Sequence, residues 1–557
     1  MFVSFKKLVS LSLATAMMLS VAGCTDSDKT DSSETKKSTT RANITTAPVV
    51  ETLGNFDLSD FVIENKVPED FNQTFEIEDG KLSGEAFTIS KESFGKYTGK
   101  GIVNLFNNSE QLSDKVEIEI DLPAEGSYDL TLMSCADQAG SECQISLDGA
   151  MLVSVKIESA SLEPNTTEKV LLPAGKHIIS FNTKDNLKGV YIDSMVLSCA
   201  KAIDLNEFKV SKVLSNKNAT EETRRLYNFL TDVYGKYTIS GQYSSKDEGK
   251  ESREFKEIKR VTGATPAILG LDLIEASPSR IANGSNEGKM VPAQAMDWWN
   301  NEGGIVTMCW HWNAPEPYLN ANGKPWYEGF RQEATTFNLG KALRGEDKKG
   351  YDLLIRDIDA IAEILIQLDD NHVPILWRPL HEGGGDPKWK NPWFWWGASG
   401  AESYKELWKL MYDRLTNYHN INNLIWVWNG QDPSYYPGDE YVDILGYDIY
   451  ANEHDSSSKK ETFDYTKSVT DTQKIVALTE NGALFDPDLA FNDGARWAWF
   501  CTWNGEFTLK DMQLSDQYTT IDMWKKIYTN DRVLTLEKLP DLKNYPLDTE
   551  KFLSENK

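Results

Sequence analysis

Val373-Pro374-Ile375-Leu376-Trp377-Arg378-Pro379-Leu380-His381-Glu382 reads as a short, continuously apolar strand that ends in a group of ionisable side chains. Ahead of it, Leu354, Ile358, Ile361, Leu365 and Leu368 recur at the spacing of one helical face, and Leu407, Met411 and Leu415 do the same behind it. A strand without polar alternation is buried on both sides, as when helices flank a parallel sheet. The same rhythm predicts strands at 237–240, 267–271, 305–309, 373–377, 424–428, 444–447, 475–479 and 498–502. Eight such units imply an α/β protein whose residues 204–557 form a (β/α)8 TIM barrel. An open doubly wound sheet would place a glycine-rich phosphate turn after a strand, and the sequence has none.

Upstream the pattern changes. In 56–203, stretches such as Lys115-Val116-Glu117-Ile118-Glu119-Ile120 and Lys176-His177-Ile178-Ile179-Ser180-Phe181 alternate polar with apolar, predicting the half-buried strands of an all-β jelly-roll sandwich. Residues 25–55, rich in Ser, Thr, Asp and Lys, read as a disordered linker. Residues 1–24 read as a lipoprotein signal peptide: Lys6 and Lys7 precede an apolar run too short to span a membrane. The run ends in Val21-Ala22-Gly23-Cys24, which resembles a bacterial lipobox and makes Cys24 the expected lipidation site. The expected location is the extracellular face of a bacterial cell membrane, as a lipoprotein, or secretion. Membrane contact is expected only through the lipid on Cys24.

The 557-residue length exceeds one ordinary domain. A net charge of −27 with no cluster of Lys and Arg argues against a nucleic-acid partner and fits a monomer acting on a neutral polymer. The 17 tryptophans read partly as core and partly as platforms on which the C–H face of a sugar can stack. Five cysteines follow Cys24, so at least one stays free; Cys135 and Cys143 are close enough in sequence to pair, which spacing alone does not establish. Cys309, inside an apolar strand, reads as a structural thiol.

Barrel enzymes carry their chemistry just past the strands. The rim here holds Gln242, Tyr243, Asp272, His311, Trp312, Arg378, His381, Glu382, Asn429, Tyr447, Asp448, Glu480, Asn481, Trp503 and Asn504. Glu382 and Glu480 end the fourth and seventh strands, which face each other across an eight-stranded barrel. Glycoside hydrolysis needs such a pair, one carboxyl protonated to donate and the other ionised to attack. His311 and His381 could alternatively form a zinc pair, but no third ligand has suitable spacing.

Arg378-Pro379-Leu380-His381-Glu382, followed by Trp393-Phe394-Trp395-Trp396-Gly397 and paired with Glu480, resembles the signature of glycoside hydrolase family 26 over residues 220–530. That resemblance implies a retaining endo-β-1,4-mannanase cleaving mannan, glucomannan or galactomannan without a catalytic cofactor. It assigns acid/base duty to Glu382 and nucleophile duty to Glu480. It places His311, His381, Tyr447 and Trp503 around the sugar attacked. Trp312, Trp393 and Trp395 join the substrate-binding set, and His311 with Asn481 are the candidates for reading the axial 2-hydroxyl of mannose. Other readings are a β-1,3-xylanase or mixed-linkage β-glucanase of the same family, and a non-catalytic surface polysaccharide-binding lipoprotein. Two features depart from the family pattern: Trp503-Asn504 stands where some mannanases carry Trp-Arg, and the run Gly383-Gly384-Gly385-Asp386 reads as mobile.

The sandwich resembles carbohydrate-binding modules of families 6 and 35 in Glu76-Ile77-Glu78-Asp79-Gly80, Gly95-Lys96-Tyr97-Thr98-Gly99 and Val190-Tyr191-Ile192-Asp193. The resemblance implies a structural calcium on Glu76, Glu78 and Asp193, all oxygen ligands suited to a hard cation. Ordinary strand-edge charge is the other reading of the same residues.

Overall fold

The computed structural model describes residues 50–59, 63–90, 94–105, 114–183, 189–245, 248–386 and 391–555; Cys24 and Trp389 lie outside them. Eight strands close a barrel in chain order: β1 (Gly241–Tyr243), β2 (Ile268–Asp272), β3 (Ile305–Cys309), β4 (Ile375–Arg378), β5 (Leu424–Trp428), β6 (Ile444–Ile449), β7 (Ile475–Asn481) and β8 (Phe500–Thr502). Seven of them fall within two residues of an end predicted from the apolar runs. The first does not. Thr238–Ile239, inside the run at 237–240, pairs instead with Val533–Leu534, and the barrel strand begins at Gly241. A Cβ at Gly241 would stand 2.7 Å from the Phe500 carbonyl oxygen, so closure against β8 requires glycine there.

The barrel is packed with indole. Trp377, Trp426, Trp428, Trp497 and Trp499 are fully buried, and of the described tryptophans only Trp326, Trp393 and Trp503 keep appreciable exposure. Most of the tryptophan surplus is therefore core. No helix among the described residues is long and apolar enough to cross a membrane.

Helix α1 (Glu221–Val233) lies under the barrel as a floor. Thr220 caps it, its Oγ1 accepting from the Thr223 N–H at 3.3 Å. The Thr220 N–H donates to Asn422 O at 2.9 Å just ahead of β5, and the Ser215 N–H to Asp443 Oδ1 at 2.6 Å just ahead of β6. Arg225, Leu226, Tyr227, Asn228, Phe229 and Leu230 are all buried, because a second layer covers the outer side of α1. That layer includes residues 50–58. Glu51 pairs with Arg225 at 2.9 Å, the Thr52 N–H donates to Asn544 O at 2.9 Å, and Leu53 joins the barrel's core. The Phe56 ring packs 5.8 Å from Phe229 and 5.4 Å from Tyr237. The expected boundary between a 25–55 linker and the sandwich is thereby corrected. Leu53 and Phe56 find an apolar surface to cover, so 50–58 belongs to the barrel although it precedes the sandwich in sequence.

The sandwich has two antiparallel sheets. One runs Phe87–Ile89, Ile102–Leu105, Val190–Cys199, Gly126–Ala136, Glu163–Leu172, with Asn72–Glu76 also on Val190–Cys199; the other runs Lys81–Ser83, Lys115–Leu122, Gly175–Thr183, Ser141–Leu147, Ala150–Ile157. Val116, Ile118, Ile120, Leu130, Leu132, Ile179 and Phe181 fill the space between them. It meets the barrel where Asn492 Nδ2 donates to Lys169 O at 2.6 Å. Cys135, Cys143, Cys199, Cys309 and Cys501 are all free thiols.

Candidate active site

Past β4, Pro379 lacks the N–H needed to extend the ladder, and the chain turns sharply through Leu380 and Glu382, both left-handed at φ 52°. Such a conformation in non-glycine residues costs on the order of 1 kcal/mol each and persists only where the surroundings impose it. Here they do. The Glu382 N–H donates to Asn429 O at 2.6 Å, the Gly384 N–H to Gly430 O at 2.8 Å, Tyr404 Oη to Leu380 O at 2.8 Å, and Trp396 Nε1 to His381 O at 2.8 Å. A Cβ at Gly397 would run into the Gly383 carbonyl oxygen. Gly383, Gly384 and Gly385 are buried within this packing.

Glu480 ends β7 on the facing side. Arg378 Nη2 donates to Glu480 Oε1, and Tyr450 Oη donates to Glu480 Oε2 at 2.5 Å. The same guanidinium donates from Nη1 to Asp448 Oδ2 at 2.8 Å, and Thr479 Oγ1 donates to Asp448 Oδ1 at 2.7 Å. One oxygen each from Glu382, Asp448 and Glu480 lie within 4.8 Å of one another, with all three residues buried. Three carboxyls thus share one guanidinium, and they cannot all ionise comfortably. Burial, then the charges of Asp448 and Glu480, hold Glu382 well above the usual carboxylate range; Trp393 Nε1, donating to Glu382 Oε2 at 2.6 Å, offsets this only in part. Burial and Asp448 also push Glu480 up, but Arg378 and the Tyr450 hydroxyl pull it back to about 7. The two glutamates are therefore driven apart, with Glu382 the more readily protonated.

Both open into a cleft of about 490 Å³ lined by Asp272, His311, Phe330, His381, Trp393, Phe394, Tyr450 and Trp503 among others. His311 Nδ1 lies 2.7 Å from Asp272 Oδ2, and its Nε2 faces His381 Nε2 at 3.1 Å. The Trp503 ring stands 4.7 Å from Tyr243 and 5.6 Å from His311. Of the residues expected around the substrate, His311, His381, Trp393 and Trp503 come together here with the two glutamates.

Four others do not, and strand alternation explains two of them. Asp448 points inward, so its neighbour Tyr447 turns outward against Tyr465, and Tyr450, past the strand end, returns to the cleft. Glu480 points inward, so Asn481 turns away and donates to Thr502 Oγ1 at 3.1 Å. Trp312 stacks on Trp310 at 4.2 Å and donates to Asp357 Oδ2 at 3.0 Å, fully buried. Trp395 is buried beneath the cleft wall, donating to Trp312 O at 2.6 Å. Phe330, Phe394 and Tyr450 are not among the expected site residues: the first two lie in loops away from the strand ends, and the apolar run predicted at 444–447 stops two residues short of the true end of β6, which Tyr450 directly follows.

Residues 215–538 match the model of glycosyl hydrolase family 26. The chain belongs to that family. A mannan endo-1,4-β-mannosidase of Thermothelomyces thermophilus is 36% identical to this family 26 chain over 469 residues, covering 84% of this chain and 90% of that protein. Mannan endo-1,4-β-mannosidase A of a Piromyces species is 33% identical, covering 84% and 72%. Among solved structures, a GH26-CBM35 β-(1,4)-mannanase of Podospora anserina superposes with a TM-score of 0.64 at 33% identity, covering 85% of this chain and all of that one. That span is more than the barrel alone supplies, and the N-terminal sandwich is like the family 35 module of that protein.

In the sandwich of this family 26 protein, Glu76, Glu78 and Asp193 gather around one loop. Thr98 Oγ1 donates to Glu76 Oε2 at 2.8 Å, the Thr98 N–H to Asp193 Oδ1 at 2.9 Å, and the Lys100 N–H to Glu78 Oε1. Glu78 Oε2 is buried and has no hydrogen-bond partner. Burial, with a contribution from Glu78, raises the Asp193 carboxyl. These three are not among the groups whose ligand atoms close to within 4.8 Å; Asp272, Cys309 and His311 are, beside Glu382, Asp448 and Glu480.

Proposed function

We infer that the chain hydrolyses internal β-1,4-mannosidic bonds of mannan, glucomannan or galactomannan with retention of anomeric configuration. The observation that carries this is the pair Glu382 and Glu480, close together and both raised by burial, Glu382 well above the usual carboxylate range and Glu480 drawn back to about 7. Retention goes with carboxyls about 5–5.5 Å apart, whereas inversion needs about 6.5–9.5 Å to seat a water between. An oxygen-to-oxygen approach within 4.8 Å supports the shorter arrangement. In the first step a Glu480 oxygen, ionised and oriented by Arg378 and Tyr450, attacks the anomeric carbon while Glu382 gives its proton to the leaving oxygen. In the second, Glu382 takes a proton from water, which displaces Glu480 and restores both groups. Trp503, with Phe330, Phe394 and Trp393, supplies flat apolar faces along the cleft. The reaction needs only the carboxyls and water.

Two further roles belong to this reading. Cys24 is the lipid attachment point that keeps the enzyme at the outer face of the cell membrane, supported by the apolar run and Val21-Ala22-Gly23 before it. We also propose a calcium on Glu76, Glu78 and Asp193 in the sandwich, supported by the unpartnered Glu78 Oε2; the ion would have to draw the three carboxyls closer than they stand here and would tie the 98–100 loop to the sheet.

Initial rates on mannan, mixed-linkage β-glucan and β-1,3-xylan, with NMR of the first-formed anomer, test the assignment. Fastest cleavage of mannan giving the β product is expected. A faster rate on either other polymer, or an α product, would overturn it.

A further inference from the structure

We infer that Asp272 is a positioning residue, fixing the order of protons along a chain from Asp272 through His311 to His381 at the wall of the cleft. The three residues come from the ends of adjacent strands β2, β3 and β4. Asp272 Oδ2 stands 2.7 Å from His311 Nδ1, and His311 Nε2 stands 3.1 Å from His381 Nε2. Two imidazole nitrogens at that distance need one proton between them: two bare nitrogens repel, and two N–H groups collide. The carboxylate offers only acceptors, so it draws a proton onto His311 Nδ1. A second proton on His311 Nε2 would force His381 to accept there and to carry its own proton on Nδ1, so the arrangement that suits both rings leaves His311 bare at Nε2 and has His381 donate from its own Nε2. That leaves His381 Nδ1 bare, and this nitrogen is buried without a hydrogen-bond partner. A buried acceptor without a partner is tolerated better than an orphaned N–H. The opposite order would place a proton on that same orphaned atom. Burial and the neighbouring Arg378 keep His381 uncharged, in agreement with this arrangement.

The second oxygen of Asp272 determines what a substitution does. Oδ1 accepts from the backbone N–H groups of His311 at 3.1 Å and Ile274 at 3.0 Å. An asparagine at 272 must keep its carbonyl oxygen there, since its NH2 would otherwise face two donors. The NH2 then points at His311 Nδ1 and donates. His311 must carry its proton on Nε2, and His381 is driven to carry its own on the orphaned Nδ1, next to Glu382 in the chain. The side chain keeps its shape while the proton order reverses.

The activity arm of the test rests on the mannanase reading; the proton arm does not. The chain has six histidines, so ring-15N-labelled protein gives a tractable spectrum, assigned with His311→Gln and His381→Gln. Wild type at neutral pH should show Nδ1–H on His311, Nε2–H on His381 and no charge on either. Asp272→Asn should reverse both tautomers and lower kcat on mannan at least about tenfold, with KM changed much less. A wild-type spectrum with another order, or an Asn variant that keeps the wild-type order, would overturn the proton assignment. Reversed tautomers with unchanged kcat would overturn the positioning role. Failure of the mannanase reading would appear separately, as wild type that leaves mannan uncut.

Discussion

At the floor of the barrel, Asp443 and Arg225 are buried and answered. Asp443 accepts from the Ser215 N–H at 2.6 Å and the Trp426 N–H at 2.8 Å, and Arg225 is held by Glu51, Glu221 and the Tyr545 carbonyl. At the mouth, three carboxyls compete for Arg378, Arg378 Nε and His381 Nδ1 lack partners, and Leu380 and Glu382 sit in left-handed backbone. Both ends are equally buried, so burial is not what separates them. The mouth crowds several carboxyls around one cation where the floor pairs its charges, and the stability built at the floor carries that cost. Substitutions at the mouth should therefore change turnover far more than folding, and substitutions at the floor the reverse.

The largest effect expected is at Glu480. Glu480→Ala should lower turnover roughly 10³-fold or more without altering the circular dichroism spectrum, and added azide should yield a glycosyl azide of inverted configuration. Near-normal turnover would dissolve the distinction between the two ends. Next comes Glu382→Ala, expected to cost about 10²–10⁴-fold on polymer while sparing substrates with good leaving groups, which need no proton. In wild type, polymer cleavage should fall as pH rises through the elevated Glu382 value, since the acid must be protonated. That alkaline limb should vanish in the variant on activated substrates.

At the floor, Leu53→Ala should destabilise the fold by about 2–3 kcal/mol in thermal or denaturant unfolding and leave kcat per folded molecule unchanged. A fall in kcat at full folding would mean that floor and mouth are coupled. The smallest effect concerns stability at the mouth. Above about pH 4.5 the unfolded chain ionises Glu382 while the folded protein resists. Wild type therefore loses stability as pH rises from there towards the folded value. Glu382→Gln removes that loss, so it should melt about 1–3 °C above wild type at pH 8 and level with it at pH 4. A variant less stable than wild type at pH 8 would show that the ionised carboxylate is instead well accommodated.

Much of the mouth was legible because strand ends are marked locally. Glu382 and Glu480 each close an apolar run, and that position alone brings them together once the barrel closes. What depended on the third dimension was less visible. Tyr450 lies past the end of β6, where the chain is irregular, and nothing near it in sequence distinguishes it from Tyr447. Trp312 and Trp395 look like platforms in sequence, yet the space beneath the cleft needs large side chains and their indole N–H groups find partners inside. Residues 50–55 fall at the end of the stretch read as a linker, and only the outer side of α1 gives Leu53 and Phe56 a place to go.

That docking has a mechanical meaning. A pull on the chain upstream of residue 50 first loads the Thr52–Asn544 hydrogen bond and the Glu51–Arg225 pair. From there the force passes into α1 and the segment around Tyr545, below the barrel. The path runs through neither the sandwich nor the strand ends that carry Glu382 and Glu480. Load entering the fold at residue 50 is thus taken up beneath the barrel, and the cleft is mechanically shielded from it.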